Sequence, residues 1–204
     1  MSKTLARAKL ARAAITLNER AGCGLPPLVL MTDDERLPDP LAAARALPRG
    51  SMVIVRSRQA SHRGKLAHTL RPIVRARGLI LLVANDPGLA DRVGANGLHL
   101  SEANLRQAST WRARRPRWLI TIAAHSFSAC GMISRTGANA AFLSPVFATS
   151  SHSGTLPLDA VRARTIARQA TLPVYPLGGV NGQTAMKLAG ASFAGLAAIG
   201  ALAI

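Results

Sequence analysis

Eight short apolar runs recur along this 204-residue chain, and their spacing limits its fold more than any other feature. They are LVLMTD (28–33), SMVIVRS (51–57), LILLVAND (79–86), GLHLS (97–101), LITIAAHS (119–126), AAFLSPVF (140–147), PVYPLGG (173–179) and GLAAIGA (195–201). Most are continuous rather than alternating, the pattern of strands buried on both faces of a parallel sheet. Their starts are mostly 18 to 28 residues apart, room for a loop, a helix and a second loop.

The intervening segments have helical character. Residues 40–47 are rich in Ala and Leu, and residues 61–77 carry Leu66, Leu70, Ile73 and Val74 at helical spacing. Pro72 inside that run predicts a kink or a later helix start. Residues 87–95, 127–137, 158–170 and 181–190 also read as helices, with Asp159 and Asn181 as candidate caps. Eight such units predict an α/β chain folded as a compact (β/α)8 barrel, the TIM-barrel architecture. A doubly wound open sheet is the rival, but no GxGxxG turn follows the first run. A typical barrel takes about 250 residues, and the sequence given stops at Ile204, just after the eighth run. The final outer helix is therefore expected to be missing or reduced. That would leave an apolar patch for a second copy of the chain, unless the N-terminal segment fills the gap. Residues 1–24 form a basic extension in which Leu5, Ala8, Leu10, Ala14 and Leu17 recur at helical spacing before Gly22 and Gly24. Residues 25–204 are read as one barrel domain.

Composition narrows the class. The chain is 49% hydrophobic, too apolar for a disordered protein. Two cysteines, Cys23 and Cys130, cannot build a disulfide framework or a cysteine zinc site. No apolar run is long enough to predict a membrane span. The N-terminus lacks the apolar core of a secretory signal, and the chain is expected in the cytoplasm. Its net charge of +17 raises the question of nucleic acid, but aromatics are only 3% and the basic residues are dispersed. A nucleic-acid partner is not expected. A solvated Arg-rich surface, or a phosphorylated small ligand met by a few of the arginines, fits better.

Barrel chemistry sits at the C-terminal ends of the strands. Those ends carry Thr32, Asp33 and Asp34; Arg56 and Arg58; Asn85 and Asp86; His99, Ser101 and Glu102; His125 and Ser126; Ser144 and Thr149 to His152; Gly178 and Gly179; and Gly200. GGVNG after the seventh run lets backbone amides approach an anion, and Gly200-Ala201 offers the same from the eighth. The alternative reading of the Gly178-Gly179 pair is a tight turn. Asp86 is placed either to hold Mg²⁺ or to cap the helix that begins at Pro87. Arg56 and Arg58 flank Ser57 and face one way if the strand continues, suited to phosphate or to solvent. His99, set among apolar residues, reads as a core histidine.

In chain order, LVLMTD, VIVRSR, LLVANDPGLADRVGANGLHLSE, AAHS, FLSPVFATSSHSGT, PVYPLGGVN and AGLAAIGAL resemble the thiamine phosphate synthase family, which includes the related thiazole tautomerases. The resemblance runs from about Leu28 to Ala201 and is most specific at ND followed by GLHL and at SPVFATSSH. It implies a transferase of thiamine biosynthesis that joins a hydroxymethylpyrimidine diphosphate to a thiazole phosphate and releases pyrophosphate. It implies phosphorylated small-molecule substrates and Mg²⁺ as cofactor. By position, Arg56 and Asn85 match diphosphate contacts and Asp86 a Mg²⁺ ligand. Thr149, with its neighbour Ser150, matches the loop near the thiazole phosphate. Gly178, Gly179 and Gly200 match the phosphate grip, and His125, a loop residue after the fifth run, is a further candidate for substrate or phosphate binding.

The sequence departs from the family pattern in several places. The family glutamine before the arginine is Ile54, the lysine after it is Arg58, and a strand-end serine is Ala123. The second Mg²⁺ carboxylate falls at Asn104, with Glu102 nearby as a substitute, and the loop lysine is His152. The tautomerase histidine falls at Pro145, which matches the synthase motif. The alternative expectation is a degenerate or tautomerase-like barrel that binds a phosphorylated thiazole.

Overall fold

Eight parallel strands form from the eight runs in a computed structural model, which describes residues 3–149 and 156–204. They are β1 (Leu28–Met31), β2 (Met52–Val55), β3 (Ile80–Ala84), β4 (Gly97–Leu100), β5 (Leu119–Ala124), β6 (Ala140–Leu143), β7 (Val174–Pro176) and β8 (Leu196–Ala198). The order around the sheet is β7-β6-β5-β4-β3-β2-β1-β8, so each strand lies beside its sequence neighbour and β8 returns to β1. The Ala194 amide donates to Val174 O at 2.9 Å, which draws the entry to β8 against β7 and nearly closes the ring. This is the predicted (β/α)8 barrel. Its core follows from the continuous apolar runs: every residue of β1, β2, β4, β6, β7 and β8 is buried.

The outer layer is α1 (Lys3–Ala21), α2 (Pro40–Arg45), α3 (Ala60–Arg77), α4 (Pro87–Arg92), α5 (Gln107–Arg114), α6 (Phe127–Ile133) and α7 (Asp159–Gln169). The α3 helix continues through Pro72 and begins at Ala60, so the later helix start does not occur. Pro72 is exposed, so the His68 carbonyl left without an N–H donor faces water at little cost. Residues 181–190 do not make an α-helix but a 3-10 turn at Thr184–Leu188. Both predicted caps act: Asp159 Oδ1 accepts from the Val161 and Arg162 amides, and Asn181 Oδ1 from those of Gln183 and Thr184. The α5 helix was not anticipated.

After β8 the residues given continue as a 3-10 turn, Gly200–Leu202. The expected apolar patch is not left open there, because α1 lies across it. Leu10, Ala14 and Leu17 fall on one helical face and are buried against β1, β8 and the two 3-10 turns. Asn18 Nδ2 donates to Leu25 O and Ala194 O, at 2.8 and 2.6 Å. A Cβ on Gly182 would stand 2.7 Å from Ala6 O, so the loop after β7 touches the helix backbone.

Candidate functional site

The C-terminal ends of the strands surround an open cavity of about 1020 Å³. Its floor is the upper layer of the barrel interior, with Met31, Ala84, His99, Ala123, Phe142 and Ala198 each contributing from a different strand. Phe142 stacks on Tyr175 at 4.8 Å and meets the His99 ring edge-on at 5.1 Å. His99 Nδ1 pairs with Thr121 Oγ1 at 2.9 Å. Burial, with the nearby Arg56 charge, pushes the imidazole down to about 3, so it is neutral at physiological pH. The reading of His99 as a hydrogen-bonded core histidine holds, although it also faces the cavity.

The ends of β1 and β2 are locked together. Thr32 N donates to Ile54 O, and the Thr32 hydroxyl donates to Arg56 O while accepting from the Arg56 amide, both at 2.8 Å. This clamp sets Asp33 opposite Arg56. Asp33 accepts from Arg56 Nη1 at 2.8 Å and from Arg36 through Nε and Nη2 at 3.1 and 2.7 Å. The Arg36 guanidinium, more than any other group, holds the Asp33 carboxyl well below the usual range. Two guanidinium groups thus share one carboxylate, and the pair keeps a net positive charge at the cavity wall. Arg58 also lines the cavity but is mostly in water, 3.8 Å from an equally exposed Glu35, a contact worth little. Strand β2 ends at Val55, so Arg56 and Arg58 do not form the parallel pair that strand alternation suggested.

At the β3 and β4 ends Asn85 adopts a left-handed backbone (φ 52°), and its Oδ1 accepts from the Ser101 amide and from Asn104 Nδ2. Asp86 does two things at once. Its Oδ1 caps α4 by accepting from Leu89 N at 2.9 Å, and its Oδ2 accepts from Arg63 Nη2 at 3.3 Å. Glu102 Oε2 takes the His125 amide at 2.9 Å, and His125 Nδ1 lies 2.8 Å from Ser144 O. Asn85 and His125 line the cavity, whereas among the described residues Asp86 and Glu102 do not.

This donor set does not fit Mg²⁺. The ion needs several free oxygens in octahedral array. Both Asp86 oxygens are engaged, one by a cation. The position of the second carboxylate is the Asn104 amide, which is spent on Asn85 and Gln107. Among the described residues no group of three potential ligand side chains gathers.

The far wall comes from β6 and β7. Gly178 and Gly179 line the cavity with φ of 88° and 65°. A Cβ on Gly178 would lie 2.8 Å from Pro145 Cα, and one on Gly179 2.6 Å from Ala148 O. The loop after β6 is laid onto this turn, with Val146 N bonded to Leu177 O and Phe147 N to Gly178 O. The tight-turn reading of the two glycines is therefore correct, and it is compatible with an anion site. The Gly179 and Val180 amides donate to no group among the described residues, and Val180 is buried. Thr149 and Gly200 line the same cavity, and Gly200 needs no special backbone. Ser150 and His152 lie outside the described residues.

The thiamine monophosphate synthase family model matches residues 28–202. The chain belongs to this family. A relative from Aquifex aeolicus is 30% identical over 117 residues, which is 57% of this chain and 62% of its own length. The thiamine-phosphate synthase of Chlorobium luteolum is 28% identical over 181 residues, covering 87% of this chain and 85% of that protein. Among solved structures, the thiamine phosphate pyrophosphorylase of Pyrococcus furiosus superposes with a TM-score of 0.70 at 20% identity, covering 89% of this chain and 88% of the other. That likeness supports the fold.

Two arginines that line this cavity escaped the sequence reading: Arg36 and Arg63. Arg36 stands three residues after Asp33, and Arg63 one turn into α3 behind the β2 end. Both positions follow from strand ends that the sequence does show. No helix in the described residues is long and apolar enough to cross a membrane.

Proposed function

We propose that this family member joins a hydroxymethylpyrimidine diphosphate to a thiazole phosphate, releasing pyrophosphate and thiamine phosphate. One observation supports the reading: donors suited to phosphate stand on two separate walls of the cavity. Arginines stand on the β1–β2 side, and at β7 the Gly179 and Val180 amides donate to no group among the described residues. Three steps of the strand order, through β1 and β8, separate β2 from β7. A two-substrate reaction with a diphosphate on one partner and a phosphate on the other needs this arrangement.

In the proposed reaction the C–O bond from the pyrimidine methylene to the diphosphate breaks, and its electron pair leaves with pyrophosphate. The thiazole nitrogen then donates its lone pair to the methylene, forming the C–N bond. No proton need be removed for bond formation. Catalysis consists of stabilising the charge on the leaving group and holding the nitrogen over the methylene. Arg36 and Arg56 are assigned to the diphosphate, held in place by Asp33, with Arg58 and Asn85 at its edge. Gly178, Gly179 and Gly200 are assigned to the thiazole phosphate, with Thr149 and His125 on that side; by sequence position Ser150 is assigned to the same phosphate and His152 to the diphosphate. The floor of aliphatic and aromatic side chains suits the two heterocycles. Small-molecule biosynthesis and two unpaired cysteines fit a cytoplasmic location.

Incubation of the purified protein with both substrates tests this reading. Thiamine phosphate and pyrophosphate should appear in equal amounts. Absence of both at high enzyme concentration rejects it. The specific observation favouring a binding protein without turnover is the loss of the second carboxylate to Asn104. That reading predicts saturable binding of thiazole phosphate with no product.

A further inference from the structure

Arg63 stands between the cavity and Asp86. It lines the cavity while Asp86 does not, and its side chain is largely buried, at 16% exposure. Its Nη1 donates to Ser57 O at 3.0 Å and its Nη2 to Asp86 Oδ2 at 3.3 Å. Its Nε is buried with no hydrogen-bond partner among the described residues. The guanidinium is therefore fixed by two contacts and keeps unused donor capacity in a place with little water. The carboxylates around it are already committed to N–H and O–H donors. Asp33 holds Arg36 and Arg56, Asp34 takes the Ser57 hydroxyl and the Arg58 amide, and Asp86 caps α4.

We propose that Arg63 takes the place of a divalent cation at Asp86, so that the site binds phosphorylated ligands without Mg²⁺. A guanidinium held on a carboxylate and facing a phosphate supplies what a bridging metal would: one fixed positive charge between two anions. It adds planar donors that match phosphate oxygens. With Arg36 and Arg56 already on the same wall, the pyrophosphate charge is met by arginine alone. The inference rests on the synthase reading for the choice of a diphosphate ligand, but it is tested separately from turnover.

Pyrophosphate is titrated calorimetrically into the full chain in EDTA and again with MgCl₂, and MgCl₂ is titrated alone. The wild type should bind pyrophosphate in EDTA, and Mg²⁺ alone should give no saturable heat. Arg63→Gln, which keeps an amide donor to Ser57 O but removes the charge, should weaken binding in EDTA about 10- to 100-fold. It also uncovers an Asp86 oxygen, so added Mg²⁺ should restore part of the affinity. The double variant with Asp86→Asn should show no such recovery. A wild type that binds only with Mg²⁺, or binds under neither condition, overturns the proposal. So does an Arg63→Gln variant that stays indifferent to Mg²⁺. If pyrophosphate binds without metal but no thiamine phosphate forms, the synthase reading falls and this inference stands. If turnover and binding both require Mg²⁺, the reverse holds.

Discussion

Lowering the pH from 7 to 5 should destabilise this protein through His99, which is buried in the cavity floor. In the unfolded chain the imidazole titrates near 6.5, whereas in the fold burial and then the Arg56 charge push it down to about 3. A base with a lowered folded value contributes its full stability above the unfolded value. The contribution is lost as pH falls below 6.5, because the unfolded chain takes up a proton that the fold refuses. At pH 5 the loss is about 1.5 units at about 1.4 kcal/mol each, or roughly 2 kcal/mol. Urea unfolding at pH 7 and pH 5 measures it, with His99→Gln as the reference. Glutamine keeps a hydrogen-bonding group near Thr121 Oγ1 but does not titrate. Asp33 does not contribute in this window, since its carboxyl is held below the usual range and its own loss begins only near pH 4. The wild type should lose about 2 kcal/mol more than His99→Gln between the two pH values. Equal losses would show that His99 accepts a proton in place, and the account of burial holding it neutral would be wrong.

Leu10→Ala removes a fully buried side chain from α1 and should cost about 2–5 kcal/mol, whereas the half-exposed Ile15→Ala should stay within about 1 kcal/mol. A small effect at Leu10 in thermal and urea unfolding would mean that α1 does not unfold with the barrel. Gly179→Ala puts a Cβ into Ala148 O from a left-handed backbone, and should cost at least about 1–2 kcal/mol and weaken phosphate binding. Gly200→Ala meets only Arg36 O at 3.5 Å and should leave stability within about 0.5 kcal/mol. Similar stability losses for the two glycines would contradict the different backbone constraints at these positions.

The barrel was legible because burial on both faces leaves a mark that needs no tertiary information. Strands such as MVIV at β2 and AAFL at β6 are apolar at every position. The miss at α5 has the opposite cause. Only Ala108 is buried on that helix, and Trp111 is held by stacking on Trp118 rather than by an apolar stripe, so no period shows. The 181–190 segment carried enough Ala, Met and Leu to suggest an α-helix. Yet Gly182 lies against Ala6 and the segment tightens into a 3-10 turn, a constraint set by a helix more than 170 residues away.

The site divides along the same line. Strand ends can be indexed from the sequence, so Arg56, Asn85, Gly178 and Gly179 were found, and the structure brings them to one cavity. Pairings between side chains cannot be indexed that way. Asp86 had two sequence readings, metal ligand and helix cap, and the fold supplies a third fact that neither contained: the guanidinium of Arg63 on its other oxygen. Arg63 was hidden among the basic residues of α3, where a solvated charge and a buried one look alike in sequence. The distinction lies in which face of α3 turns toward the β2 and β3 ends. Leu66, Leu70 and Ile73 face the barrel, and Arg63 stands one turn before Leu66 and Ala67 on the same side. An arginine one turn N-terminal to the buried stripe of a barrel helix extends past the strand ends into the cavity mouth. The stripe therefore marks which basic residues of α3 belong to the site and which belong to the solvent.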